Sequence, residues 1–224
     1  MNIIILAAGK PKTNRDRHLE LFNNKPLINN LIQECTIKNT ELYIVIHKNN
    51  SKLINHIINY NNNNNSNVNI LEVTQEYAKN TITTALSVVG DCIYVCGDLI
   101  NVKKEDIIKF INTDYSSCLC RYKVPWGNNI INNNLIRRSD IGDCIVKISQ
   151  KDKNIYLSEE LWNKAIETYK LFYPNNKVYF EPWSIIPTHL NYVYFYEIWG
   201  NPNINEFGDK GSIYFEKKIY ADND

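Results

Sequence analysis

Short apolar runs that alternate with helix-patterned stretches constrain this chain more than any other feature. Asn2–Ala8 (NIIILAA) is almost continuously apolar and ends at Gly9, the pattern of a parallel strand buried on both faces. Glu41–His47 (ELYIVIH), Val68–Val73 (VNILEV) and Asp91–Cys96 (DCIYVC) repeat it. Helical spacing fills the gaps. Leu27, Ile28, Leu31 and Ile32 follow Pro26, whose fixed φ suits a first helical position. Ser51 is placed to cap a helix running through Ile58. Ile82, Ala85, Leu86 and Val89 share one face of a helix beginning at Asn80 or Thr81, and Val102–Ile111 is a further helix. This alternation predicts an α/β fold: a single-domain, open, mixed but mostly parallel sheet flanked by helices, Rossmann-like in outline. The run Asn61–Asn65 reads as a solvated loop.

The second half changes character. Its predicted elements are strands at Ser117–Lys123, Cys144–Ser149, Lys177–Phe180 and Asn191–Tyr196, with a helix at Ser158–Leu171. All four tryptophans, Trp126, Trp162, Trp183 and Trp199, lie there. This half reads as an extension of the same sheet with a covering layer, so the expectation is one domain over residues 1–224, its halves being 1–115 and 116–224.

Composition enters as a filter. Hydrophobic residues make up 44% of the 224, enough for a sizeable core. Lys plus Arg is 25 against 24 for Asp plus Glu, a net charge of +1, so nucleic acid is not expected as a partner. No apolar run approaches the roughly 18–20 residues of a membrane span, and the first strand lacks the basic start of a signal peptide. A cytoplasmic address with no membrane partner is therefore expected. None of the six cysteines forms a C-x-x-C pair, and buried, reduced thiols are the expectation.

In open α/β sheets ligands bind beyond the carboxyl ends of the strands. Gly9-Lys10 and Gly97-Asp98 both fall at such ends and are expected in one crevice. Lys10, Lys12, Arg15 and Arg17 place four cations within eight residues. Small residues before them let a ligand approach the backbone, and clustered cations suit a triphosphate. Neither G-x-G-x-x-G nor G-x-x-x-x-G-K-[ST] is present, so neither a dinucleotide fingerprint nor a P-loop is supported.

Ile4-Ile5-Leu6-Ala7-Ala8-Gly9-Lys10, then Asp16-Arg17-His18-Leu19, then Lys25-Pro26-Leu27-Ile28 resembles the opening of the nucleotidyltransferases with a glycosyltransferase-A-like fold. Arg17 stands where that family has a lysine, and Pro11 neighbours the place of its second loop glycine. Asn80-Thr81-Ile82-Thr83-Thr84-Ala85-Leu86 is similar to the family segment that begins a helix beside the base and sugar, where the hydroxyls either meet a ligand or cap the helix. Asn203-Ile204-Asn205, before a helical Ile213–Ile219, is similar to its C-terminal metal motif, with Asp209 placed to cap that helix.

The resemblance implies a Mg²⁺-dependent nucleotidylyltransferase that transfers a nucleoside monophosphate from an NTP to a small phosphorylated acceptor and releases pyrophosphate. Lys12, Arg15 and Arg17 would be catalytic. Leu6, Ala7, Ala8, Gly9, Lys10, Lys25, Thr81 and Thr84 would bind the nucleotide. Asp98 and Asn205 would hold Mg²⁺, a hard cation usually kept by one or two carboxylates. Residues 1–115 would be the nucleotide-binding half and 116–224 the acceptor-binding half. The implied acceptor is a sugar phosphate or an alcohol phosphate such as phosphocholine. The D-R-H-L and N-I-N motifs keep a molybdenum cofactor guanylyltransferase-like reading open. A nucleotide-sugar glycosyltransferase and a non-catalytic nucleotide-binding protein also stay open. The aromatic-rich half offers an edge for a homodimer.

Overall fold

The structure is a computed structural model that describes residues 1–8, 16–74, 78–100, 102–114, 116–121, 128–131, 134–137, 145–157, 160, 163, 194–197 and 205–206. Its elements in chain order begin with β1 (Asn2–Leu6), a 3-10 turn (Arg17–Leu19), β2 (Leu21–Phe22), β3 (Lys25–Pro26) and α1 (Leu27–Cys35). Next come β4 (Glu41–His47), α2 (Ser51–Asn64), β5 (Val68–Val73), α3 (Ala78–Leu86), β6 (Cys92–Cys96), β7 (Leu99–Ile100) and α4 (Lys104–Asn112). The second half contributes β8 (Cys118–Arg121), β9 (Asn128–Ile131), β10 (Asn134–Arg137), β11 (Ile145–Ile148), α5 (Lys153–Tyr156), β12 (Tyr194–Glu197) and β13 (Asn205–Glu206).

Seven strands form one sheet in the order β12-β8-β11-β6-β1-β4-β5. β6, β1, β4 and β5 are mutually parallel, as the unbroken apolar runs require. β11 is antiparallel to both β6 and β8, which makes the sheet mixed. β1 is central and packs on both faces. Ile3 and Ile5 join a cluster with Ile28 and Ile32 of α1, Leu53 of α2 and Phe110 of α4. Ile4 points the other way, toward Ile82, Ala85 and Leu86 of α3. Each fully buried isoleucine contributes about 1.5–3 kcal/mol of apolar burial.

Several boundaries differ from the sequence expectation. Pro26 is the residue before α1 rather than its first, and Leu27 N–H donates to Glu20 O at 2.9 Å to seat the helix on the preceding turn. Asn50, not Ser51, caps α2, its Oδ1 accepting from Leu53 N–H at 3.2 Å. The asparagine run is not a loop, since α2 continues through Asn64. Asn61 explains this. Its Oδ1 accepts from Val68 N–H at 3.1 Å and its Nδ2 donates to Val68 O at 3.0 Å, tying the last turn of α2 to β5. Asn65, at φ 46°, then ends the helix in the left-handed region that asparagine tolerates. α3 starts at Ala78 and stops at Leu86, so Val89 is left 79% exposed instead of lying on its apolar face.

The strand expected within Asn191–Tyr196 is observed as β12. The helices expected at Ser158–Leu171 and Ile213–Ile219 and the strand at Lys177–Phe180 lie largely or wholly outside the described residues. Cys35 and Cys92 are buried free thiols, and burial pushes the Cys35 thiol far up. Among the described residues, no helix is long and apolar enough to cross a membrane.

Candidate active site

β1 and β6 are parallel neighbours with Leu6 opposite Cys96, so the residues that follow them leave the sheet at one rim. Gly97 N–H donates to Leu6 O at 2.9 Å, and Ala7 N–H donates to Val45 O at 2.9 Å. These bonds carry the ladder one step past the strand ends and hold Ala7 beside Gly97. Only glycine fits there. A Cβ on Gly97 would lie 2.7 Å from Leu6 O and 3.1 Å from both Ala7 Cβ and His18 Nε2. Asp98 follows at once and is carried by this close-packed backbone.

The 3-10 turn Arg17–Leu19 supplies the opposing charge. Arg17 Nη1 donates to Asp98 Oδ2 in a close ion pair between residues 81 positions apart. The two side chains are 23% and 17% exposed, so the pair sits in the mouth of the crevice within reach of solvent. The turn is fixed by Asp16. Its Oδ1 accepts from His18 N–H at 3.1 Å and from His18 Nδ1 at 3.0 Å, and its Oδ2 accepts from Asn50 Nδ2 at 2.8 Å. Burial works to raise the Asp16 carboxyl, but the bonds from His18 and Asn50 and the His18 charge outweigh it and hold the group below its ordinary value.

The remaining expected site residues divide into three groups. Leu6, Ala7 and Ala8 line the same rim, Ala7 and Ala8 being buried. Asn205 lies in β13, paired antiparallel with β7 so that it faces Ile100, two positions beyond Asp98. β13 therefore returns from across the chain to the short strand that follows Asp98. Lys25 is exposed on the β2–β3 hairpin, which turns through Asn23 and Asn24 at φ 53° and 62°. Thr81 and Thr84 are half-buried inside α3, three and six residues past its start, so neither caps the helix. The structure does not bring them to the Arg17–Asp98 pair by any hydrogen bond among the described residues. Gly9, Lys10, Lys12 and Arg15 lie outside the described residues.

No family model and no curated protein matches the sequence. Solved structures do match the fold. A 4-diphosphocytidyl-2C-methyl-D-erythritol synthase from Anaerococcus prevotii superposes with a TM-score of 0.61 at 13% identity, over 98% of this chain and 97% of that one. An inositol-1-phosphate CTP transferase from T. maritima gives 0.59 at 13% identity, over 97% and 95%. A nucleoside-diphosphate-sugar pyrophosphorylase from Vibrio cholerae gives 0.56 at 13% identity, over 98% of each chain. The chain has their fold. The mixed, mostly parallel α/β fold expected from the sequence is the one observed. The likeness extends over nearly the whole length, including the second half, where the sequence carries few motifs of its own.

In the sequence, Asp16 and His18 appear only as letters of the D-R-H-L motif, without a role, and Asn50 is not singled out. The D-x-H spacing across Arg17 is the only local signal, and Asn50 lies 34 positions away from its partner Asp16.

Proposed function

We propose that the chain is a Mg²⁺-dependent nucleotidylyltransferase acting on an NTP and a small phosphorylated acceptor, either a sugar phosphate or an alcohol phosphate. The Arg17–Asp98 pair at the mouth of the β1/β6 crevice carries this reading. It sets one cation and one carboxylate side by side where an open α/β sheet binds its ligand. Among the proteins that share the fold, one is named a nucleoside-diphosphate-sugar pyrophosphorylase and another an inositol-1-phosphate CTP transferase, which supports a reaction of this kind.

In the proposed reaction an acceptor phosphate oxygen bonds to the α-phosphorus of the NTP. The bond from that phosphorus to the α–β bridging oxygen breaks, and pyrophosphate leaves. The chain's task is positioning and charge stabilisation. A guanidinium has five N–H donors, so Arg17 has others for α-phosphate oxygens beyond the one given to Asp98. The small Ala7 and Ala8 admit base and ribose to the backbone. Lys10, Lys12 and Arg15 would hold the β- and γ-phosphates, with Lys25 assisting. Thr81 and Thr84 would lie toward the nucleoside. Residues 116–224 would shape the acceptor pocket.

The donor set fits Mg²⁺ in its usual mode with nucleotides, in which one or two carboxylates suffice because phosphate oxygens and water complete the shell. Asp98 would supply the carboxylate and Asn205 a neutral oxygen. When bound, Mg²⁺ would neutralise phosphate charge.

The test is pyrophosphate release with Mg²⁺, crossing five NTPs against a panel of sugar and alcohol phosphates. Release that requires one NTP and one acceptor is expected. Hydrolysis of a nucleotide sugar without pyrophosphate would replace this reading with glycosyl transfer. NTP binding without turnover in any combination would replace it with a binding-only protein.

A further inference from the structure

We propose that Asp16 is the positioning residue for Arg17, acting through a clamp made with His18 and Asn50; this rests on the nucleotidyl transfer proposed above. Arginine has long, freely rotating torsions, and holding it toward one target requires a fixed base. The clamp provides that base on both sides of Arg17. On one side, Asp16 Oδ2 accepts from Asn50 Nδ2 at 2.8 Å, and Asn50 is itself the cap of α2. On the other, Asp16 Oδ1 accepts from His18 N–H and Nδ1, and His18 is only 6% exposed. Its Nε2 lies 3.1 Å from where a Cβ of Gly97 would stand. One carboxylate thus ties the Arg17 turn to α2 and, through a buried ring, to the backbone that carries Asp98.

The hydrogen-bond inventory is closed. An ionised carboxylate only accepts, so His18 Nδ1 must carry its proton, and Asn50 must present its NH₂ to Asp16 while its oxygen caps α2. Asp16→Asn sets one NH₂ against another. Exchanging the two residues, as Asp16→Asn with Asn50→Asp, restores every bond with the charge moved across.

The experiment is a double-mutant cycle on turnover. D16N should lower kcat about tenfold or more when Arg17 is present and less than about twofold in the Arg17→Gln background, because the carboxylate acts through the guanidinium. D16N/N50D should recover most of the loss. Equal losses in both backgrounds would overturn the proposal. If D16N does not fold, Asn50→Ser, which keeps a helix cap and removes the bond to Asp16, goes through the same cycle with the same criteria. A second readout needs no turnover. The Arg17 guanidinium N–H signal in NMR, slowed against solvent exchange by Asp98, should broaden in D16N and return in D16N/N50D. A signal unchanged in D16N would overturn the clamp. Absence of pyrophosphate release by the wild type would instead overturn the reaction and leave this second readout standing.

Discussion

Gly97 carries the tightest steric demand at the site. Gly97→Ala would drive a methyl group into Leu6 O, a backbone atom fixed on both sides by strands. Overpacking of this kind costs about 1–3 kcal/mol, to be read from denaturant unfolding. Asp98→Ala should lower kcat by about 10²–10³ without comparable loss of stability, in line with removing a preorganised charge contact. Arg17→Lys should retain more activity than Arg17→Gln, because the charge survives while the planar fork is lost. Acid tests Asp16. Its folded pKa lies below the ordinary 3.8, so its contribution to stability is full above that value and is lost as pH falls through the lower folded one. D16N should therefore lose less stability than wild type on acidification from about pH 5 to 2, measured by urea unfolding at each pH. At this scale the sequence shows Asp98 after a strand and Arg17 in a basic segment, but nothing local says that the two side chains pair. The role of His18 was not legible, because Asp16, which it bonds, is tied to the cap of α2 by Asn50 from 34 positions away.

Elements were legible wherever a periodic apolar run ended at a strong breaker. β4 and β5 match their expected limits residue for residue. α2 does not, because asparagine weighs locally toward loops while Asn61 is held by its two bonds to Val68 of β5. That tertiary contact overrides propensity. Asn61→Ala should accordingly cost about 1–2 kcal/mol and loosen amide protection at Val68 and the last turn of α2, as read by hydrogen exchange. β13 was equally hidden. A two-residue strand has no periodicity, and only its pairing with β7 places Asn205 opposite Ile100.

For the whole molecule, ligand linkage is the broadest test. At a hundredfold excess over Kd, an NTP with Mg²⁺ should stabilise the protein by about 2.7 kcal/mol, raising Tm by roughly 5–11 °C for a chain of this size. Absence of any shift across all five NTPs would remove nucleotide binding. The alternation of strands and helices made the parallel half of the sheet readable. In the other half β8 and β11 fall inside the expected runs and β12 overlaps one, but their order and the reversal of β11 were not readable, since they come from distant segments. That reversed strand has an evolutionary consequence. β11 starts with Ile145 opposite Val95, and β8, running with β6, ends at Arg121. The chain therefore leaves and re-enters the sheet at the rim where Asp98 stands. Insertions or deletions between Arg121 and Ile145 leave the register of every strand pair in the sheet intact. Lineages with this architecture are free to remodel what faces the ligand while inheriting the frame unchanged.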